Sequence, residues 1–382
     1  MNRSGSHSVT GFKRLMWDIS GAFGDIGVLL PLAIALIAQN GFNPTALFLM
    51  AGLFYTGSAW YFKITMPVQP LKAMSAIAIA SGLSYTVMNA GGIIMGVILL
   101  FISMTGLSVR LGNLFPVPVV RGIQLGLGLM LIKASLNLIG IDPSIASVAG
   151  LILILSIFVV KSIPALIPML VVALIMVSKN SGGLLMGPVP FLPELPEPDS
   201  LWTAFNMLVL PQIALTFGNA IVATESAGKV LYGKRAEKLN FKNIPMSMAI
   251  ANIISGIMGG APMCHGSGGL TAHNKFGATT ERSGYIIGAT LIALALLFGN
   301  SILSIVSAFP KGILGVLLCY VGIQHAFFVK DILADKISVL IALTVAVTGL
   351  ATQNLTIGFL TGLIIHYSLA GILNTVKNSG RH

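Results

Sequence analysis

Charge is what this chain has least of. Asp, Glu, Lys and Arg together make up 9% of its 382 residues, against 55% apolar side chains, and the mean hydropathy is +0.92. A soluble globular chain carries roughly 25% charged residues, so a soluble fold is excluded. Cysteine is nearly missing too. Cys264 and Cys319 stand alone, which leaves nothing for a disulfide framework or a metal knuckle; neither a metal nor a cofactor is expected. The formal net charge of +11 does not point to a nucleic-acid partner, because the basic residues are thinly spread and no aromatic-basic platform accompanies them. The polar stretch Met1 to Thr10 runs into Lys13 and Arg14 without an apolar run ending at small residues, so no cleaved signal peptide is expected.

What is present is apolar sequence in stretches longer than the about 20 residues of one helical span. Ile26 to Phe62 holds no Asp, Glu, Lys or Arg, and the turn residues Gln39 to Pro44 divide it into two helices. Ile337 to Val376 is equally free of charge and is split at Thr352-Gln353-Asn354. Further spans are predicted at Gly91–Leu107, Val117–Leu138, Ser144–Val160, Pro164–Ser178, Phe205–Val230, Pro245–Gly260, Ser283–Gly299 and Ser301–Val329. Pro70–Ser81 and Gly266–His273 are apolar but too short to cross, and read as half-helices. The 43 glycines and 18 prolines fit a bundle in which neighbouring helices satisfy the freed backbone groups. Lys and Arg favour cytoplasmic loops. Arg3, Lys13 and Arg14 precede the first span, and Lys229, Lys234, Arg235, Lys238 and Lys242 crowd the loop after the eighth. Leu184 to Ser200 carries Glu194, Glu197, Asp199 and many prolines but no Lys or Arg. Both termini are therefore placed in the cytoplasm and the Pro-rich loop outside, in a multi-pass protein of the cytoplasmic (inner) cell membrane.

An internal repeat is visible. Phe23-Gly24-Asp25 recurs as Phe217-Gly218-Asn219 at an offset of 194, and Met66-Pro67-Val68 as Ala261-Pro262-Met263 at an offset of 195. The first segment begins on the cytoplasmic side and the eighth ends there, so the two copies are inverted. The expected fold is an all-α polytopic membrane protein: a seven-segment repeat in residues 1–180, an extracytoplasmic Pro-rich loop in 181–200, and a second, inverted seven-segment repeat in 201–382. Inverted repeats with broken helices mark secondary transporters, whose substrates bind where half-helices expose their ends. Residues before proline are extended and proline suits the first helical position, so Pro70 is expected to open one half-helix with Gln69 as its cap.

Lys72 falls in the first turn of that half-helix. At mid-membrane it costs roughly 2.5–3.5 kcal/mol, and the N-terminal end of a helix already carries partial positive charge. A bound anion would relieve both penalties; snorkelling to water or an ion pair with Asp25 would do so as well. Gly266-Ser267-Gly268-Gly269 opens the second half-helix, where missing side chains let backbone N–H groups approach a ligand. His265 before it is a ligand, a proton relay or a satisfied buried histidine, and Cys264 is a packing residue. Asp25, inside an apolar segment, needs a partner or a role: a coupling proton or a hold on Lys72. Its counterpart Asn219 is polar and cannot titrate. Glu225 offers coupling, or a helix-surface pair with Lys229 four residues on. Gln69 and Gln212 are candidate amide donors.

The stretches Phe23-Gly24-Asp25-Ile26-Gly27, Met66-Pro67-Val68-Gln69-Pro70-Leu71-Lys72, Pro211-Gln212 through Asn219, and Pro262-Met263-Cys264-His265-Gly266-Ser267-Gly268-Gly269-Leu270 resemble the molybdate transporter family, a branch related to the sulfate permease (SulP) anion transporters. The resemblance spans essentially the whole chain. It implies seven plus seven inverted segments, an oxyanion held between two half-helices, and movement of a core domain against a gate domain. SulP relatives are commonly dimers, so a homodimer is expected; a soluble C-terminal regulatory domain is not. The expected function is secondary active import of a tetrahedral oxyanion, molybdate ahead of sulfate, by proton or other cation symport. The predicted cage is Lys72, Gln69, the backbone around Pro70 and Leu71, Asn219, Gln212, and Gly266, Ser267 and Gly268. Asp25, Glu225 and His265 are the coupling candidates, in that order. The alternatives are a sulfate transporter, a passive anion channel on the same fold, and a nucleobase permease using Glu225 as main ligand. An intramembrane hydrolase built on Ser267 fails its motif, since position 265 is His rather than Gly.

Overall fold

The computed structural model describes residues 11–107, 114–158 and 185–379; the predicted span Pro164–Ser178 lies outside them. The first half runs α1 (Gly11–Ala22), α2 (Ile26–Asn40), α3 (Pro44–Phe62), β1 (Gln69–Pro70), α4 (Lys72–Ser81), α5 (Tyr85–Thr105), α6 (Val117–Ile141) and α7 (Pro143–Phe158). The second runs α8 (Pro198–Ala236), α9 (Asn243–Ile257), β2 (Met263–Cys264), α10 (Ser267–Lys275), α11 (Arg282–Ser307), α12 (Lys311–Ala326), α13 (Lys336–Ala351) and α14 (Leu355–Ser379). Six helical stretches among the described residues are long and apolar enough to cross a bilayer. Outward faces agree, both in one of these, α5, and in the shorter apolar helix α13. Val97, Phe101 and Met104 of α5, and Leu340, Leu343 and Val347 of α13, are exposed at helical spacing, as lipid-facing stripes are.

Local signals set the helix ends. Gly41 closes α2 at φ +79, and Asn43 caps α3 by accepting the N–H groups of Thr45 and Ala46 at 2.9 and 3.1 Å. Ser84 caps α5, so that helix starts six residues before its predicted edge. One predicted break is wrong. The sequence places a turn at Gly299-Asn300, whereas α11 runs through it to Ser307 and the chain turns at Ala308 to Pro310. Both residues instead hold the Pro-rich loop: a Cβ on Gly299 would lie 2.9 Å from Val189 N, and Asn300 Nδ2 donates to the carbonyls of Met186 and Pro188 at 3.3 Å each.

Helix pairing repeats with element order. α3 packs on α11 and α5 on α9; α7 packs on α12 and α6 on α13. Exchanging the two halves turns each pair into the other, while α6 with α12 and β1 with β2 map onto themselves. The close pairs rest on small residues: a Cβ on Gly52 would meet Gly288 O at 2.7 Å, and one on Gly128 would meet Gly322 O at 2.5 Å. Two bodies result. One contains α1 to α5 and α8 to α11, the other α6, α7 and α12 to α14, and α2, α4 and α8 lie at their boundary. The acidic and basic loops sit at opposite ends of α3. Asn43 Nδ2 donates to Pro190 O at 3.0 Å, and at the other end Lys238 Nζ donates to Tyr61 O at 2.9 Å.

Candidate functional site

Pro67, Pro70 and Pro262 keep their neighbourhoods extended, and the two extended peptides meet as an antiparallel pair. Gln69 lies opposite Cys264 and Pro70 opposite Met263. Leu71 N–H donates to Pro262 O at 2.8 Å. Asn252 of α9 fixes the second strand by bonding both Met263 N and Met263 O at 2.8 Å. This pairing shifts the predicted helix start: Gln69 and Pro70 belong to the strand, Leu71 is the N-cap, and α4 opens at Lys72. Gly266 is the N-cap of α10.

The two helix starts differ. At α4, Gln212 Oε1 accepts from Ala73 N and Met74 N at 2.9 and 3.2 Å, while Gln212 Nε2 donates to Thr216 Oγ1 at 3.0 Å. Gln212 therefore closes this end as a cap from the other half of the chain, a different task from the amide donor expected. The backbone around Pro70 and Leu71 is likewise committed, since proline has no N–H and that of Leu71 is bonded to Pro262. At α10 the N-cap is Gly266, which has no side chain of its own to cap with. A Cβ on Gly268 would meet nothing within 4 Å, whereas one on Gly269 would lie 2.6 Å from both Asp25 Oδ2 and Pro67 Cβ. Gly268 thus opens to space, and Gly269, absent from the predicted cage, is what admits Asp25.

Lys72 is half-buried, and among the described residues its ammonium has no hydrogen-bond or ion-pair partner. It stands 3.8 Å from where a Cβ of Gly266 would be, and it lines a cavity of about 20 Å³ with Gln212, Leu215, Ala220, Cys264, His265 and Gly266. The Asp25–Lys72 ion pair considered from the sequence is not formed. Asp25, 4% exposed, instead takes both its oxygens to Gln69 Nε2. Gln69 Oε1 is left buried and unpartnered. Ser267 is half-buried at the first position of α10.

His265 is fully buried between Phe54 and Phe62. Its Nδ1 lies 2.9 Å from Pro67 O and its Nε2 3.1 Å from Ser247 Oγ. A carbonyl only accepts, so Nδ1 carries the proton and Nε2 accepts from the serine hydroxyl. Nδ1 thus joins the two peptides, and Nε2 ties the second of them to α9. Glu225 is buried and paired with Lys229, outside the cavity lining. Asn219 falls in a π-helical stretch, Thr216–Val222; its side chain lies outside the described residues. The Phe23 to Asp25 copy of that motif forms the turn between α1 and α2, so both copies interrupt regular helix. Sequence reasoning missed His325. It is 6% exposed on α12, its Nδ1 bonds Val321 O at 2.9 Å, and its Nε2 has no partner. Only a lone histidine in an apolar span marked it.

The family model described as "Molybdate transporter of MFS superfamily" matches residues 18–131 and 204–324, one block in each half. Molybdate transporter 2 of Arabidopsis thaliana is 26% identical, the match covering 92% of this chain and 87% of that protein. Molybdate transporter 1 of Chlamydomonas reinhardtii is also 26% identical, with coverage of 92% and 91%. Among solved structures, the transmembrane domain of the cyanobacterial bicarbonate transporter BicA aligns with a TM-score of 0.65 at 16% identity, over 93% of this chain and 97% of that one. Murine Slc26a9, an anion transporter in its inward-facing state, aligns with a TM-score of 0.66 at 15% identity, over 98% and 74%. The strand-paired half-helices therefore sit in an SLC26/SulP-type transmembrane fold, and the chain belongs to the molybdate transporter family.

Proposed function

We propose that this protein imports a tetrahedral oxyanion, molybdate ahead of sulfate, by secondary active transport, with the substrate held between the starts of α4 and α10. The observation that carries the reading is Lys72: a cation in the first turn of a half-helix, with no ion-pair partner within 4 Å among the described residues, across a small cavity from Gly266 at the start of α10. A helix N-terminus and an ammonium together are a site for an anion, and the names of the relatives supply the class of anion. The cage is Lys72 and the backbone of Gly266, Ser267 and Gly268, with Asn219 joining from α8; Gln69 joins as a donor once its Nε2, held by Asp25 in this structure, is released to the substrate. Gln212 holds α4 in place rather than coordinating. A cavity of about 20 Å³ admits about one water, and an oxyanion brings four oxygens, so binding requires the two bodies to separate. The tests are uptake of labelled molybdate with sulfate competition, in wild type and Lys72→Ala. The substitution is expected to abolish saturable uptake while the protein stays folded; normal uptake by Lys72→Ala would refute the site.

Coupling follows from charge. Moving a dianion inward against an inside-negative potential costs about 4.6 kcal/mol per 100 mV, twice the single-charge value. At least two cations must enter with it, and three make the cycle driven by the potential. Asp25 is the first carrier: its carboxylate lies against the start of α10 beside the cage, and a proton on it would remove its repulsion of the substrate. Asp25→Asn is expected to bind molybdate but lose accumulation driven by a proton gradient. Uptake unaffected by collapsing both proton and sodium gradients would exclude symport in favour of a passive channel. The positive-inside pattern supports both termini, and the basic loop before α9, on the cytoplasmic side of the cell membrane, with a homodimer as the working assembly.

A further inference from the structure

Between the C-terminal half of α3 and the N-terminal half of α9 the surface forms a groove of about 440 Å³, lined almost entirely by apolar side chains such as Leu53, Phe54, Ile250 and Ile254. Leu53 is 49% exposed and Ile250 51%, so the groove opens sideways, where the chain meets lipid. Two features distinguish it from an ordinary lipid-facing surface. Ser58 lines it, is 2% exposed and has an unpartnered hydroxyl. Gly57 also lines it, and a Cβ there would meet nothing within 4 Å.

One end of the groove is basic. Trp60 and Tyr61 line that end; Lys63 Nζ sits 5.8 Å from the Trp60 ring centre, and Lys238 Nζ 4.8 Å from that of Tyr61. Lys63, Lys238 and Lys242 are exposed there, and the exposed Glu237 of the same loop leaves the rim net positive. Aromatic rings over lysines at the end of an apolar trough match the layering of a bilayer interface.

We propose that this groove is a binding site for an anionic phospholipid, with one acyl chain along α3 and α9 and the phosphate at Lys63 and Lys238. Charge complementarity selects this occupant: a zwitterionic lipid would fill the trough without satisfying the rim, and a free phosphate would meet the lysines and leave the trough unfilled. The site adjoins the strand pair, because Ser247 lines the groove and bonds His265, which holds Pro67 O.

Native mass spectrometry of the full chain, released from detergent containing equal phosphatidylglycerol and phosphatidylcholine, tests this. The wild-type chain is expected to retain one phosphatidylglycerol about thirtyfold over phosphatidylcholine, as two interfacial lysines imply. Gly57→Leu, which fills the trough from a position with free space, is expected to lose both lipids at an unchanged melting temperature. Ile250→Trp serves as a second filling variant. The double variant Lys63→Gln/Lys238→Gln is expected to keep lipid but lose the preference. Equal retention of the two lipids by the wild-type chain, undiminished retention by the filling variants, or a preference that survives removal of both lysines would each overturn the proposal.

Discussion

Gln212 shows how one side chain can decide which helix end is free for a ligand. Its carbonyl satisfies two N–H groups at the start of α4, Ala73 and Met74, whereas α10 starts at a glycine, Gly266, that has no side chain to cap with. The substrate is therefore expected to meet backbone donors on one side and the Lys72 ammonium on the other. Replacing Gln212 with Leu strands two buried donors, each costing roughly 1–3 kcal/mol, and is expected to lower the melting temperature in detergent and reduce uptake together. Gln212→Glu separates the two effects. A carboxylate still caps the helix and suits its dipole, so stability is expected to hold, while its negative charge beside Lys72 weakens oxyanion binding and raises the molybdate concentration needed for half-maximal uptake. Loss of stability with unchanged uptake in Gln212→Glu would show that the cavity lies away from the transport path.

At the level of elements, the half-helices were readable from the sequence because proline and charge are local signals. The two Pro-containing stretches lie 195 residues apart, and each precedes an apolar run too short to span. Strand pairing between them was not readable, since Gln69 and Cys264 are brought together only by the packing of the two halves, and this moved the helix start from Pro70 to Lys72. The break placed between the spans Ser283–Gly299 and Ser301–Val329 misled because within α11 the glycine admits the Pro-rich loop and the asparagine binds it. Gly299→Val therefore serves as a direct test: its side chain would collide with Thr45 and the backbone of Pro188 and Val189. The expected result is an unchanged helical circular-dichroism signal with faster proteolytic cleavage in the loop around residues 185–197. A loss of helical signal would mean that α11 itself depends on this residue.

Across the whole molecule, the half-helix α4 and its neighbour α2 touch both bodies. α4 packs on α6, and α2 packs on α12, so separating the bodies necessarily alters the surroundings of Lys72. A polar cleft of about 230 Å³ lies along this boundary, lined by Ser81 at the far end of α4, by Lys133 and Asn137 of α6, and by Gln353 after α13. Its residues belong to different bodies, which makes it a place to test relative motion without touching the cage. With Cys319 replaced by Ser, and Cys264 buried out of reach, the pair Ser81→Cys and Asn137→Cys can be joined by a short thiol cross-linker with a reducible centre. If substrate enters only when the bodies separate, cross-linking is expected to stop molybdate uptake, and reduction of the linker to restore it. Each single cysteine treated in the same way should transport normally. Full uptake in the cross-linked protein would mean that the cavity at Lys72 enlarges by local movement of α4 or α10 alone, and the two-body description would have to be abandoned.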